Sequence, residues 1–589
     1  MQSRSDANTV KNSEQIPENS LTRQKTDQHQ SRKQKRNNGK GKRSSDKGDS
    51  QATTLVALAG DVDLFHDSDE AFARIEIAGH RETWRLGSKA FRNWLQRQYW
   101  AVTKSAANAQ AVQDAIGVLR GRALFEGPRR ETAVRIAGDD DCIWLDLANG
   151  SWQAVKIDAS GWRVVDRPDV AFVRPRGVLE LPTPERDGSL DELRALVNVE
   201  SDDDWILILG WLVAAMRPSG PYPVLSVNGE QGSAKSTLCR ILRGLVDPNV
   251  AAIRSPPRTE RDLVIAGSNG HLIALENLSQ VQDWLSDALC RLSTGGGFGT
   301  RELFSDGEEM LFEGQRPVML NGITELCTRS DLLDRALVVS LSAIPEEKRV
   351  TESELWARFE QIHGLILGAL LDAVSQACSA WADVRLPTLP RMADFATWVV
   401  AAEPALPCQS GAFLGAYQCN QASANESAIE SSVLSGPLLE FMEGHSEWQG
   451  TATELKDILE ELAGERTTKG KDWPKRPNSL SGELKRIAPN LRRTGIDVEF
   501  GKAAGSRFIR LIRKSTQDSV HSVQCAQTGE SAGDSETHRG AAGRTQDAQD
   551  NGSVHDSPSV LRSLDAVDAP DAESQYCSDE VPVDPDWPF

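Results

Sequence analysis

Apolar and polar positions along this chain change period several times, and the changes outline its architecture. From about residue 71 to 175, short alternating runs predict strands at 73–77, 132–136, 143–147 and 152–157, while helical spacing predicts helices at 89–102 and 110–124. That mixture predicts an N-terminal α+β domain over 51–183, closed by a Pro- and Gly-rich linker at 174–183. The run 205–216 is apolar on every face and predicts a buried core helix. Asp202, Asp203 and Asp204 stand before it, where carboxylates meet the positive end of the helix dipole. Helical spacing returns at 352–382 through Leu355, Phe359, Ile362, Ile366 and Leu370, and predicts a helical lid or collar over 346–445. Further on, 453–462 predicts an amphipathic helix, 479–487 a second one, and 495–500 with 507–512 a hairpin turning through 501–506.

Composition adds limits. The 589 residues are 39% hydrophobic and 26% charged, as expected of a soluble globular chain of several domains. The apolar run 205–216 is well short of the ~20 residues that span a membrane, and no apolar segment follows Met1, so neither secretion nor membrane insertion is expected. Nine scattered cysteines without a C-x-x-C pair indicate neither a disulfide framework nor a zinc site, and fit a reducing cytoplasm.

The net charge of -19 argues against a nucleic-acid partner only until it is divided along the chain. Residues 1–50 carry +6 in a polar sequence with almost no large apolar residues, and are expected to form a disordered basic arm. Residues 51–465 carry -23, residues 466–515 carry +10, and residues 516–589, rich in Ser, Asp, Gly and Ala, carry -12 and are expected to be a disordered acidic tail. One compact basic module therefore stands between an acidic body and an acidic tail.

The strongest chemical signal is an apolar strand at 224–227, then Gly229, Glu230, Gln231, Gly232, Ser233, Ala234, Lys235, Ser236 and Thr237, then an apolar helix face through Leu238, Ile241, Leu242 and Leu245. Strand, glycine-punctuated loop and helix stand in the order of a P-loop. Backbone amides of Gly229, Gly232, Ser233, Ala234 and Thr237 would cradle phosphate oxygens, Lys235 would add charge at the β- and γ-phosphates of ATP, and Ser236 would offer a hydroxyl to Mg²⁺. Ala234 occupies a position where glycine is usual, which is tolerable unless the backbone there needs φ > 0. The next strand, 271–275, ends in Glu276, suited to metal or water, or else a plain strand-end carboxylate. Asn277 stands where many such enzymes have a second carboxylate, and an amide is no general base. Strand 316–320 delivers Asn321, which either senses the γ-phosphate or only begins an Asn-Gly turn. Arg335 follows an acidic, Leu-rich helix end and is either a finger reaching the neighbouring subunit's nucleotide or the partner of Asp331 or Asp334. The run Gly138-Asp139-Asp140-Asp141 reads as a solvated turn rather than a polymerase-type metal site.

In this order, and over approximately 198–342, these elements resemble superfamily 3 helicases and related AAA+-like ATPases of phages, plasmids and integrated elements. The glycine-rich segment 292–304 is similar to the one such helicases carry before their sensor strand. The resemblance implies a P-loop ATPase core at 198–345, a homo-oligomer such as a hexamer, and a pore hairpin with Arg301 as a DNA-contacting residue. Helix, helix and hairpin over 446–515 resemble a winged helix, with Lys485, Arg486, Arg492 and Arg493 on or after the recognition helix and Lys502 and Arg507 flanking the wing; a basic protein-interaction domain is the other reading. These charges would meet DNA phosphates with little sequence information. The final residues, Asp584-Pro585-Asp586-Trp587-Pro588-Phe589, resemble the C-terminal tip of bacterial single-stranded DNA-binding proteins, which implies host replication proteins as partners. The whole reads as an α/β, helicase-like or DNA-remodelling ATPase of mobile-element replication, or alternatively as an ATP-binding regulator or loader that hydrolyses weakly.

Overall fold

The computed structural model describes residues 50–301, 309–312, 314–430, 432–470, 473–503 and 506–514. The expected basic arm, acidic tail and terminal Phe589 lie outside the described residues, apart from Ser50. The chain divides into units 1–50 and 51–589, and every element described below belongs to the second. It is a mixed α/β structure.

The first part packs helices Gln51–Leu58, Lys89–Thr103 and Ala109–Phe125 on an antiparallel sheet of Asp63–Asp67, Glu70–Ile77 and His80–Arg85. Leu55, Phe91, Leu95, Leu119 and Ala123 are fully buried between them. Ser88 and Asn108 cap the second and third helices by accepting from the Phe91 and Ala111 amides.

The expected strand 132–136 is broken into Thr132–Ala133 and Ile136–Gly138. Arg135 takes a left-handed backbone, φ 71°, and turns its guanidinium inward. There Nε meets Asp247 Oδ1 at 3.2 Å, and the terminal nitrogens donate to the carbonyls of Asp146 (2.8 Å) and Leu179 (2.6 Å). The following meander, Ile136–Gly138, Cys142–Asp146, Ala154–Asp158 and Gly161–Val165, shares its core with the central domain rather than with the first sheet. The expected N-terminal domain is therefore divided near residue 134. The segment 174–183 is no free linker, because Arg174 pairs with Asp146 at 2.6 Å and Leu181 is buried. Asp140 holds Arg217 through both oxygens, and Asp139 accepts from the amides of Asp141 and Cys142, so the acidic run is a turn.

The centre is a parallel sheet in the order Ile273–Leu278, Val318–Gly322, Val224–Gly229, Ala336–Leu341. A single parallel bridge, Arg254 to Leu275, adds a vestigial fifth position beyond the first of these strands. Parallel strands need both faces covered. Helix Asp202–Ala215, buried along its whole apolar length, and the long helix Glu352–Ala380 share one continuous apolar core with the sheet. The latter is the one helix among the described residues with the length and composition to cross a membrane, and most of it is packed inside. The edge strand is closed by Asn420, whose side-chain amide accepts from Val338 N (3.0 Å) and donates to Val338 O (2.5 Å).

The C-terminal module is larger than expected. Helix Ser435–Glu443 and strand Glu447–Gly450 precede helices Ala452–Thr468 and Pro477–Arg493 and strands Ile496–Ala503 and Ser506–Arg513. The sheet order is first, third, second. Leu438 and Met442 belong to this module's core, which takes the end of the expected lid away from it. The helix expected to stop at residue 487 continues through Pro489 to Arg493, because Leu480, Leu484, Ile487 and Leu491 form one buried stripe. Six described cysteines are free thiols, whereas Cys419 is disulfide-bonded, against the expectation of unpaired cysteines.

His271, at the base of the central sheet, is wholly buried with Nε2 2.7 Å from the carbonyl of Ala215. Burial, reinforced by Arg316, lowers its pKa to about 4. The folded state thus refuses a proton that the unfolded chain takes up near pH 6.5. The corresponding stability, ~3 kcal/mol, is full above pH 6.5 and is lost as the pH falls towards 4. Urea unfolding at several pH values should show this decline, with a shallower slope in His271→Gln; an unchanged slope would contradict the assignment.

Candidate functional site

The central strand Val224–Gly229 is buried to its last residue, and the chain must turn sharply there to enter helix Lys235–Val246. Gly229 is required, since a Cβ would lie 2.5 Å from the carbonyl oxygen of Leu341 and 2.8 Å from Ser233 Oγ. Gly232 has φ 80° and open space where a side chain would be. Ser233 is buried and donates to the carbonyl of Glu230 at 2.9 Å. From outside, Asn198 Nδ2 donates to the carbonyls of Ser233 (3.2 Å) and Ser342 (2.8 Å), tying the loop to the edge strand. Sequence reasoning gave Asn198 no role, and its signal was only its position at the start of the core.

Ala234 has φ 61°, the left-handed conformation on which the sequence-based tolerance was conditional. The loop keeps it there because Ala234 O starts the helix by accepting from Leu238 N at 3.0 Å. Lys235 folds back over the loop, donating to the carbonyls of Gly229 (2.9 Å) and Glu230 (2.6 Å) and to Ser233 Oγ (3.3 Å). Burial lowers the pKa of its ammonium. Thr237 follows, half-buried, on the first turn.

Three expected site residues converge. Ser236 Oγ lies 3.3 Å from Glu276 Oε2, and Asn321 Nδ2 lies 3.5 Å from Ser236 Oγ. Asn321 is not in a turn: it is a buried member of strand Val318–Gly322, level with Val227 of the central strand. Its Oδ1 accepts from Asn277 N at 2.9 Å. The register of strand Ile273–Leu278 slips between Leu275 and Leu278, so Glu276 and Asn277 form a bulge beside Asn321. Asn277 is exposed with φ 55°, a backbone state that asparagine tolerates better than most residues. Its amide orients Asn321 and its side chain points to solvent. Cys239, under the cluster, has its pKa raised to about 12 by burial.

Hydroxyl, carboxylate and amide thus meet at the carboxyl ends of the parallel strands, next to the loop that holds the lysine. No group of three or more metal-ligating side chains occurs among the described residues. Mg²⁺ held beside phosphates needs only one or two protein ligands, so a hydroxyl and a carboxylate at this distance fit it. Beside the outer face of the loop lies a cavity of about 510 Å³ lined by Asn228, Glu230, Asp203, Asp204, Asn420 and Ser423, among others. Asp204 accepts from Ser340 N at 3.2 Å, and burial raises its pKa. The sequence identified these aspartates only as a helix start.

Arg335 does not join the cluster. Its carbonyl accepts from Val224 N at the opposite end of the central strand, roughly 16 Å from Gly229 at strand rise. Its guanidinium donates to the Asp331 carbonyl at 2.5 Å and touches Cys290. This is the intrachain contact that stood as the alternative to a finger, made through the Asp331 carbonyl rather than its carboxylate. Arg301 lies on a hairpin of Phe298–Arg301 and Glu309–Phe312, opposite Glu309 and next to the segment 302–308, which lies outside the described residues. In the C-terminal module, Lys485 stands 5.1 Å over the Phe500 ring, Arg486 pairs with Glu483 and Arg492 with Asp497. Arg493 forms an ion pair with Asp334 at 2.8 Å, and so faces the central domain rather than an open groove. Lys502 and Arg507 are exposed partners across the hairpin.

Residues 190–424 match the model of a family described as actinomycete integrative conjugative element replication protein, and residues 434–527 match the model of the AICE RepA C-terminal domain. The start of the second match agrees with the boundary of the C-terminal core. No curated protein is matched. Among solved structures, the apo structure of the NrS-1 C terminal region is 12% identical, covering 79% of this chain and 100% of that one, with a TM-score of 0.37. Its A form gives 11%, 79%, 100% and 0.35. A ligand-bound JCV helicase is 12% identical over 38% of this chain and 67% of that one, with a TM-score of 0.22.

The left-handed alanine is open to test. Ala234→Gly should leave stability unchanged or raise it by up to ~1 kcal/mol, and Ala234→Val should lower it by ~1–2 kcal/mol. Urea midpoints ranked in any other order would contradict the loop geometry.

Proposed function

We propose that this chain, which matches replication proteins of integrative conjugative elements over 190–424 and 434–527, is a P-loop ATPase with an AAA+-like core that acts on DNA during mobile-element replication. The observation that carries this reading is the meeting of Ser236, Glu276 and Asn321 at the ends of adjacent parallel strands, beside the glycine loop over which Lys235 folds. The strand order also supports it, with the loop-bearing strand between the strand of Asn321 and the closing edge strand.

In this reading the carbonyls and hydroxyl that now receive the Lys235 ammonium give way to phosphate oxygens, which a lysine at a glycine loop binds more strongly. Ser236 and Glu276 would hold Mg²⁺, which when bound supplies charge neutralisation at the phosphates. Glu276 orients and deprotonates the attacking water, and Asn321 positions it by its amide. The Asn277 backbone keeps Asn321 in place. Because Asn277 turns its side chain to solvent, its being an amide leaves Glu276 as the base. The C-terminal order helix, strand, helix, helix, strand, strand supports a winged-helix reading, with the exposed Lys502 and Arg507 on its wing as phosphate contacts.

The rival reading, a nucleotide-dependent DNA-binding loader with weak hydrolysis, draws on the distance of Arg335 from its own chain's candidate site. Assembly into a homo-oligomer, with an arginine from a neighbour, would answer it. Lys235→Ala should reduce single-strand-stimulated ATP turnover at least about 100-fold while the chain stays folded. Turnover at the wild-type rate would overturn the site.

A further inference from the structure

One surface has the chemistry of a nucleic-acid contact and lies far along the chain from the modules considered so far. Between Glu82 and Asp114 the sequence holds no acidic residue and five basic ones, inside a body that is otherwise strongly acidic. Helix Lys89–Thr103 concentrates them. Its buried stripe is Phe91, Leu95 and Tyr99. On the opposite face Lys89, Arg92, Asn93, Gln96, Arg97, Trp100 and, at the cap, Lys104 are all exposed.

Two features separate this face from an ordinary solvated helix. None of Lys89, Arg92, Arg97 and Lys104 has a carboxylate partner among the described residues. In the C-terminal module, by contrast, Arg486, Arg492 and Arg493 are each neutralised by an acid. Second, Trp100 is 55% exposed in the middle of these cations, an unusual position for an indole that neither fills the core nor caps a neighbour. At the helix start the face runs into a pocket of about 300 Å³ that Arg85, Ser88 and Arg120 line together with Glu70.

We propose that this helix face is a second DNA-contacting surface, and that its ligand is single-stranded DNA. From Lys89 to Lys104 it extends roughly 22 Å, enough to meet several phosphates. Cations without protein partners bind phosphates without first breaking an ion pair. Trp100 selects the single strand, because only an unpaired base offers its flat face to an indole, whereas a duplex hides it. An acidic protein segment would satisfy the charges but gives the indole no comparable partner.

The test is fluorescence anisotropy of the full chain, without nucleotide, against labelled oligo-dT and a duplex of equal length at several salt concentrations. Trp100→Ala should weaken oligo-dT binding roughly tenfold and leave duplex binding nearly unchanged. Arg92→Gln with Arg97→Gln should lower the slope of log affinity against log salt on oligo-dT by about 1.4. All three positions are exposed, so thermal midpoints should match the wild type. Unchanged oligo-dT affinity in both variants would overturn the proposal, as would an equal loss on duplex in Trp100→Ala. Two further results would also overturn it: loss of polyglutamate binding, or of self-association by sedimentation, with DNA affinity intact. ATP turnover plays no part in the readout, so the outcome is independent of the proposed hydrolytic site.

Discussion

The hydrogen bond from the Asn277 amide to the Asn321 side chain is the contact on which the candidate site depends. It joins a bulge at the end of one parallel strand to a buried polar residue in the next. Without it, Asn321 would be a buried amide with an unpaired oxygen, at a cost of about 1–3 kcal/mol, and the bulge would be held only on its outer side, by the Glu276 amide donating to the Arg254 carbonyl. With it, the Glu276 carboxylate stands 3.3 Å from the Ser236 hydroxyl. Parallel strands align their carboxyl ends, so loop, carboxylate and amide come from distant parts of the chain to one place.

The far end of the sheet is held by charge in an apolar setting. Asp247 follows the helix that begins at Lys235, and it receives Arg135, Arg243 and the amides of His271 and Leu272. Burial of Asp247 opposes its charge, while Arg135 and Arg243 favour it, and the net pKa is lowered. Such clusters contribute little net stability compared with apolar packing, but removing one partner strands the others. Here they fix where the meander and the segment 174–183 attach to the sheet. A truncation that removes residues before 136 would therefore leave Asp247 buried without Arg135, with Arg243 as its remaining cation.

The sequence made the central strand, the loop, Glu276 and Asn321 legible, because each depends on local spacing: an apolar run followed by glycines, or an apolar run ending in a polar residue. It could not reveal what Ala234 and Asn277 do. Both take positive φ, a property of the folded backbone that residue identity only permits. The division of the N-terminal region failed for a similar reason, since the meander's alternation looks the same whichever core its inner face joins. The contacts of Arg335 and Arg493 were not legible, because a basic residue shows its charge in sequence but not its partner. The helix expected over 479–487 runs on through Pro489 to Arg493, where Leu491 continues its buried stripe.

Under the proposed function, an acidic body would carry out phosphate chemistry shaped by the sheet, and exposed basic faces elsewhere would meet DNA. Glu276, as proposed, both helps to hold Mg²⁺ and acts on water at the end of its strand, and the second role sets the rate of turnover. Glu276→Gln preserves size and removes the negative charge, and with it the base and one charged ligand for Mg²⁺. Measured side by side, nucleotide affinity should stay within a few-fold of wild type while DNA-stimulated ATP turnover falls about 100-fold or more. Turnover close to wild type in that variant would contradict the account.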